Sequence, residues 1–120
     1  MKLVIPGKFP TLNEYIQKER SNKFMGAQMK REATNLVTLI AQSKRPKIPY
    51  KRVSVQFLWF MKNSRKDPDN IAFAKKFILD GLVNGGVLEN DAWINIVGFT
   101  DFWFIDSNER TEVIINEENN

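Results

Sequence analysis

Residues 52–70 read RVSVQFLWFMKNSRKDPDN, and most of the fold turns on them. Val53, Val55, Phe57, Trp59 and Met61 alternate with Ser54, Gln56, Leu58 and Phe60, the two-residue period of a strand over Arg52–Met61. Leu58 and Phe60 make the second face partly apolar too, so this strand is expected in the interior of a sheet. A basic polar loop, Lys62-Asn63-Ser64-Arg65-Lys66, leads into Asp67-Pro68-Asp69-Asn70. Asp69 or Asn70 is a natural N-cap for a helix over about Ile71–Val83, because a short oxygen-bearing side chain accepts from the free amides of a first turn. Ile71, Ala74, Ile78 and Leu82 form the apolar stripe of that helix. Gly85-Gly86 ends it by tolerating positive φ.

Working outward, Lys2–Ile5 reads as a short strand stopped by Pro6-Gly7, and Phe9–Asn13 as a loop, since Pro10 lacks a donor and biases Phe9 toward extended backbone. Met29, Ala33, Leu36, Val37 and Ile40 recur at helical spacing and predict a helix over about Gly26–Ser43, ended by Pro46 and Pro49. Beyond Glu89-Asn90-Asp91, a β-rich stretch runs from Trp93 to Ile105. A turn at Asp106-Ser107-Asn108 precedes a last strand over Thr111–Asn116. The order β-α-β-α-β-β describes a single α+β domain over residues 1–120, with helices packed on a mixed or antiparallel sheet.

Composition removes whole classes of chemistry. The 120 residues contain no cysteine and no histidine, so disulfides, thiolate nucleophiles, cysteine zinc sites and imidazole proton shuttles are all excluded. What remains is carboxylate, lysine, hydroxyl, backbone, or a metal bound through oxygen. No apolar run approaches the ~18 residues of a membrane span, and the expected location is cytoplasmic. The net charge of +4 is divided unevenly: the first 66 residues carry 15 Lys/Arg against 3 Glu, the remainder 3 against 11 Asp/Glu. A basic first part of this kind suits a polyanion.

The acidic residues carry the sharpest expectation. Asp67 and Asp69, one residue apart in an extended segment stiffened by Pro68, project to the same side. Two carboxylates held close need a compensating cation, and Mg²⁺ takes hard oxygen ligands. Asp91 precedes the next strand; if that strand neighbours Arg52–Met61, it is a third ligand. Asn70 offers an amide oxygen or a contact to phosphate. Lys75, beside the apolar stripe, and Lys76, four residues from Asp80 on the polar side, are both candidates to neutralise charge at a phosphate.

Taken together, Asp67-Pro68-Asp69-Asn70, the helix Lys76–Leu82, Gly86-Val87-Leu88-Glu89-Asn90-Asp91 and the opening Pro6–Asn13 resemble the RusA family of Holliday-junction resolvases of bacteria and phages. The resemblance implies a homodimeric endonuclease that depends on Mg²⁺, with Mn²⁺ as a substitute, and that nicks four-way DNA junctions symmetrically. It implies Asp67, Asp69 and Asp91 as the essential aspartates and metal ligands. It also implies Lys76 as the catalytic lysine, from its position four residues before Asp80. In some members the lysine lies nearer the Asn, which keeps Lys75 open, and Asn90 stands where the family often has a second aspartate.

A metal held by aspartates activates water and neutralises a phosphodiester without histidine, and a lysine stabilises developing charge. Lys62, Arg65 and Lys66 stand directly before the acids, suited to hold a DNA backbone there, and Lys23, Lys30, Arg31, Lys51 and Arg52 extend the track. A dimer suits the two equivalent strands of a junction, and Phe99, Phe102, Trp103 and Phe104 are candidates for its interface or for a wedge against bases. Branched DNA is the expected partner, with no membrane and no organic cofactor. The competing readings are a branched-DNA-binding module without catalysis and a divergent nuclease preferring flaps or forks.

Overall fold

Eight elements follow one another along residues 1–119, which the computed structural model describes: β1 (Lys2–Pro6), α1 (Leu12–Ser21), α2 (Lys23–Lys44), β2 (Val53–Met61), α3 (Pro68–Ala72), α4 (Lys75–Asn84), β3 (Ile96–Ile105) and β4 (Arg110–Glu117). The strands form one mixed sheet in the order β1-β4-β2-β3. β4 pairs antiparallel with both β1 and β2. β2 and β3 are parallel, Phe57 opposite Asp101 and Met61 opposite Ile105. A parallel neighbour requires a long crossover, and α3 with α4 provides it.

β2 is interior, as its two apolar faces predict. Val53, Val55, Phe57 and Trp59 are buried on the face that meets the helices, together with Leu3 and Ile5 of β1 and Val113 and Ile115 of β4. Ile71, Ala74, Ile78 and Leu82 are buried from the helical side, so the predicted stripe is the real one. α2 and α4 approach very closely. A Cβ built on Gly81 stands 2.5 Å from Val37 Cβ, and one on Gly85 stands 2.4 Å from Ala41 Cβ. Small residues four apart on α4 therefore let the two backbones touch.

Several boundaries differ from the sequence expectation. Phe9–Asn13 is not wholly a loop: Leu12 and Asn13 open α1, an element the hydrophobic spacing does not reveal because none of its residues is buried. Its start is fixed by a capping box, in which Thr11 accepts from the Glu14 N–H and the Glu14 carboxylate accepts from the Thr11 N–H. The helix expected over Ile71–Val83 is two helices, with bonds shifting to the tighter i−3 pattern at Ala74 and Lys76. It begins at Pro68, whose missing N–H costs nothing at a first helical position, so the N-cap is Asp67 rather than Asp69 or Asn70. At the far end only Gly86 has positive φ, +82°. Trp93–Asn95 is a turn, and β3 starts at Ile96.

Candidate active site

Asp67 leaves β2 through the cationic loop with extended backbone, φ −71° and ψ 148°, and its side chain makes no capping bond. Asp69 lies in the first turn of α3, where its Oδ1 accepts from the Asn70 N–H at 2.9 Å. The two acids thus sit at a helix start rather than along an extended segment. Both are exposed, and neither has an ion-pair partner among the described residues. The adjacent cation is taken elsewhere: Lys66 Nζ lies 3.0 Å from Glu14 Oε1. Partial burial opposes ionisation of Glu14, but the bonds from Lys66 and Thr11 outweigh it and hold its carboxyl below the usual carboxylate range. The Asn70 Oδ1 accepts from the Asn13 N–H at 2.9 Å and ties α1 to α3. Asp67 also borders a cavity of about 210 Å³ walled by Trp59, Met61, Ile71 and Trp103.

Asp91 is in another place. It stands in the loop before β3, held by Asn95, which accepts from the Ala92 N–H and donates to the Lys51 carbonyl at 2.7 Å. The two strands are neighbours, as a third ligand would need, but they are parallel. Residues preceding β3 therefore lie beside the start of β2, while Asp67 follows its end. The nine residues of β2 separate the two by roughly 25–30 Å. Within one chain the three aspartates do not converge, and among the described residues no group of three potential metal ligands forms.

Asp91 instead faces a cleft of about 550 Å³ between α2 and α4, shared with Lys30, Arg31, Thr34 and Asp80. Lys76, exposed on α4, approaches Asp80 at 3.4 Å. Lys75 points the other way. Its Nζ lies 2.6 Å from Asp101 Oδ2, with 22% and 23% of the two side chains exposed. Phe57 and Phe99 flank it at 5.3 and 5.1 Å from their ring centres, and the Trp59 indole donates to the other Asp101 oxygen at 2.8 Å. Asp101, 26 residues from Lys75, carries no local signal in the sequence.

The remaining cations divide between the two ends. Lys62 and Arg65 are exposed beside Asp67, the loop being shaped by the Arg65 N–H bonding to Asn63 Oδ1 at 3.0 Å. Arg52 lies toward the Asp91 end and donates to the Ile94 carbonyl at 3.3 Å. Acid thus stands with cation in two places: Asp67 and Asp69 with Lys62 and Arg65 after β2, and Asp91 with Lys30 and Arg31 around the cleft between α2 and α4. Hard carboxylate oxygens beside exposed cations suit a divalent ion and a phosphodiester.

The model of the family described as endodeoxyribonuclease RusA matches residues 6–116, a span holding all the acids and cations just described. No curated protein matches the chain.

Proposed function

We propose, from the premise that this chain belongs to the RusA endodeoxyribonuclease family, that it resolves four-way DNA junctions by metal-dependent, paired nicks, acting as a homodimer in recombination and repair. The observation that carries this reading is the pair Asp67 and Asp69, exposed after the end of β2 beside Lys62 and Arg65 and without ion-pair partners among the described residues. Two uncompensated carboxylates next to a cationic loop suit a divalent cation and the backbone of a polyanion together. Among the described residues, no helix is long and apolar enough to cross a membrane.

The separation of Asp91 bears on how many chains make one centre. β3 is an edge strand ten residues long with exposed apolar side chains on both faces. Val97, Phe99, Phe102, Trp103, Phe104 and Ile105 are all exposed, and Trp93 just before it is 98% exposed. Such an edge is an unstable surface for a monomer and a ready one for a second copy. A two-fold axis perpendicular to β3 would set the start of one copy against the end of the other. The Asp91 end of one chain would then face Asp67 and Asp69 of its partner. Two chains thus make two equivalent three-carboxylate centres, one for each strand to be cut.

Asp67 and Asp69, with Asp91 of the partner subunit, would hold Mg²⁺ or Mn²⁺. Their oxygens fit the ion by donor type, and when bound it supplies Lewis-acid polarisation of the phosphodiester and an acidified water. The protein's own groups do the rest. Lys62 and Arg65 hold the backbone next to the acids. Lys76, which makes only a 3.4 Å contact with Asp80, neutralises charge on the phosphate, whereas Lys75 is engaged by Asp101.

A labelled synthetic four-way junction, incubated with and without Mg²⁺, tests the reading. Paired nicks are expected only with the metal, and Asp69→Asn is expected to slow them at least about 100-fold. Wild-type cleavage by Asp69→Asn, or cutting in excess chelator, would overturn the metal assignment. Junction binding without any nick would favour a binding module, and faster cutting of flaps or forks a different substrate.

A further inference from the structure

The cleft between α2 and α4 is bordered by Asp91 and by neither Asp67 nor Asp69 of the same chain. Lys30 and Arg31 stand next to one another on α2 at its rim. Both are exposed, and neither has an ion-pair partner among the described residues. The acids facing them are Asp80, which contacts Lys76, and Asp91. Asn35 and Asn84 add uncharged donors and acceptors to the walls. Thr34 Oγ1, on the same wall, is buried with no hydrogen-bond partner among the described residues. The cleft is open and polar, its cations Lys30 and Arg31 adjacent on α2 and its acids Asp80 and Asp91 opposite them, which suits one strand of a nucleic-acid backbone: the cations fix its phosphates and carboxamides meet its uncharged edges.

We infer that this cleft seats the DNA strand for the metal centre built on the partner's Asp67 and Asp69, so that Lys30 and Arg31 act in trans. The inference rests on the shared centre proposed above, because the cleft travels with Asp91 and not with Asp67. Each scissile phosphate is then gripped from both chains, by Lys62 and Arg65 of the one that supplies the carboxylate pair and by Lys30 and Arg31 of the other. Cleavage at one centre therefore depends on the α2 helix of the opposite subunit.

Heterodimers test this directly. An Asp69→Asn chain and a Lys30→Ala/Arg31→Ala chain are co-expressed with different tags, and the mixed dimer is isolated. The substrate is a plasmid carrying an extruded cruciform. As homodimers, the first should not cleave. The second should cleave at least tenfold more slowly than wild type, and the slope of its log affinity against log salt should be shallower by about 1.8 for two lost phosphate contacts. In the mixed dimer one centre combines the intact acids of the second chain with the intact cleft of the first. It should nick at the wild-type rate per site and leave nicked circles rather than linear plasmid.

A mixed dimer no faster than the Lys30→Ala/Arg31→Ala homodimer would overturn the inference, as would wild-type cleavage by that homodimer. The pairing of Asp69→Asn with Asp91→Asn separates the two levels. If this second mixed dimer also fails to nick, the shared centre itself is wrong. If it nicks while the first does not, only the assignment of the cleft falls.

Discussion

Lys75 and Lys76 are adjacent in sequence and carry the same charge, yet their surroundings differ. Lys75 sits between two aromatic rings with its ammonium on Asp101, while Lys76 is exposed. The sequence leaves the choice between them open, and the difference in their surroundings comes from a residue on another strand. Asp101→Ala should strand a half-buried cation and destabilise the protein by about 1–2 kcal/mol, read as a lower urea midpoint. Lys76→Ala should leave stability within about 0.5 kcal/mol and abolish most cleavage. A Lys76→Ala protein that cuts junctions normally would return the catalytic assignment to Lys75. Asp67 is a second case of this kind. Its carboxylate, free of any capping bond, is legible as a ligand candidate, but its helix-start geometry departs from the extended pair that its spacing suggests.

At the scale of elements, the strongest periodic signals coincide with real elements. The alternation of β2 and the stripe on α3 and α4 are written in residue types, because burial on one face selects them. α1 escapes that reading since it buries no residue fully, although Thr11 and Glu14 spell out its capping box. The contact of α2 with α4 was hidden as well. Gly85 reads as a helix-ending residue and Gly81 as an interior one, and the sequence does not show that both serve close approach. Gly81→Ala should force Val37 and the α2 backbone aside and cost about 1–3 kcal/mol. Gly98→Ala, where an added Cβ meets nothing within 4 Å, is the matching control and should melt close to wild type. Equal melting temperatures for the two variants would contradict the tight crossing.

For the whole molecule, the separation of Asp91 from Asp67 and Asp69 is set by one topological fact, the parallel pairing of β2 and β3. Sequence spacing reveals that Asp91 precedes a strand, and the family resemblance marks it as essential. Neither carries a distance between chains, so the gap within one copy was not foreseeable from residue pattern. The exposed apolar edge at Val97 and Ile105, 50% and 65% exposed, is where the proposed partner would close that gap. Val97→Lys combined with Ile105→Lys should leave the fold intact by circular dichroism, shift sedimentation to the monomer and remove cleavage. A doubly substituted protein that remains dimeric would put the interface elsewhere.

The shared centre is tested most directly by crystals grown with Mn²⁺ and measured at the manganese absorption edge. The account predicts an anomalous peak bounded by Asp67 and Asp69 of one subunit and Asp91 of the other, related by a two-fold axis to a second peak. A peak coordinated by aspartates of a single chain, or one that leaves Asp91 beyond ligand reach in the dimer, would contradict it.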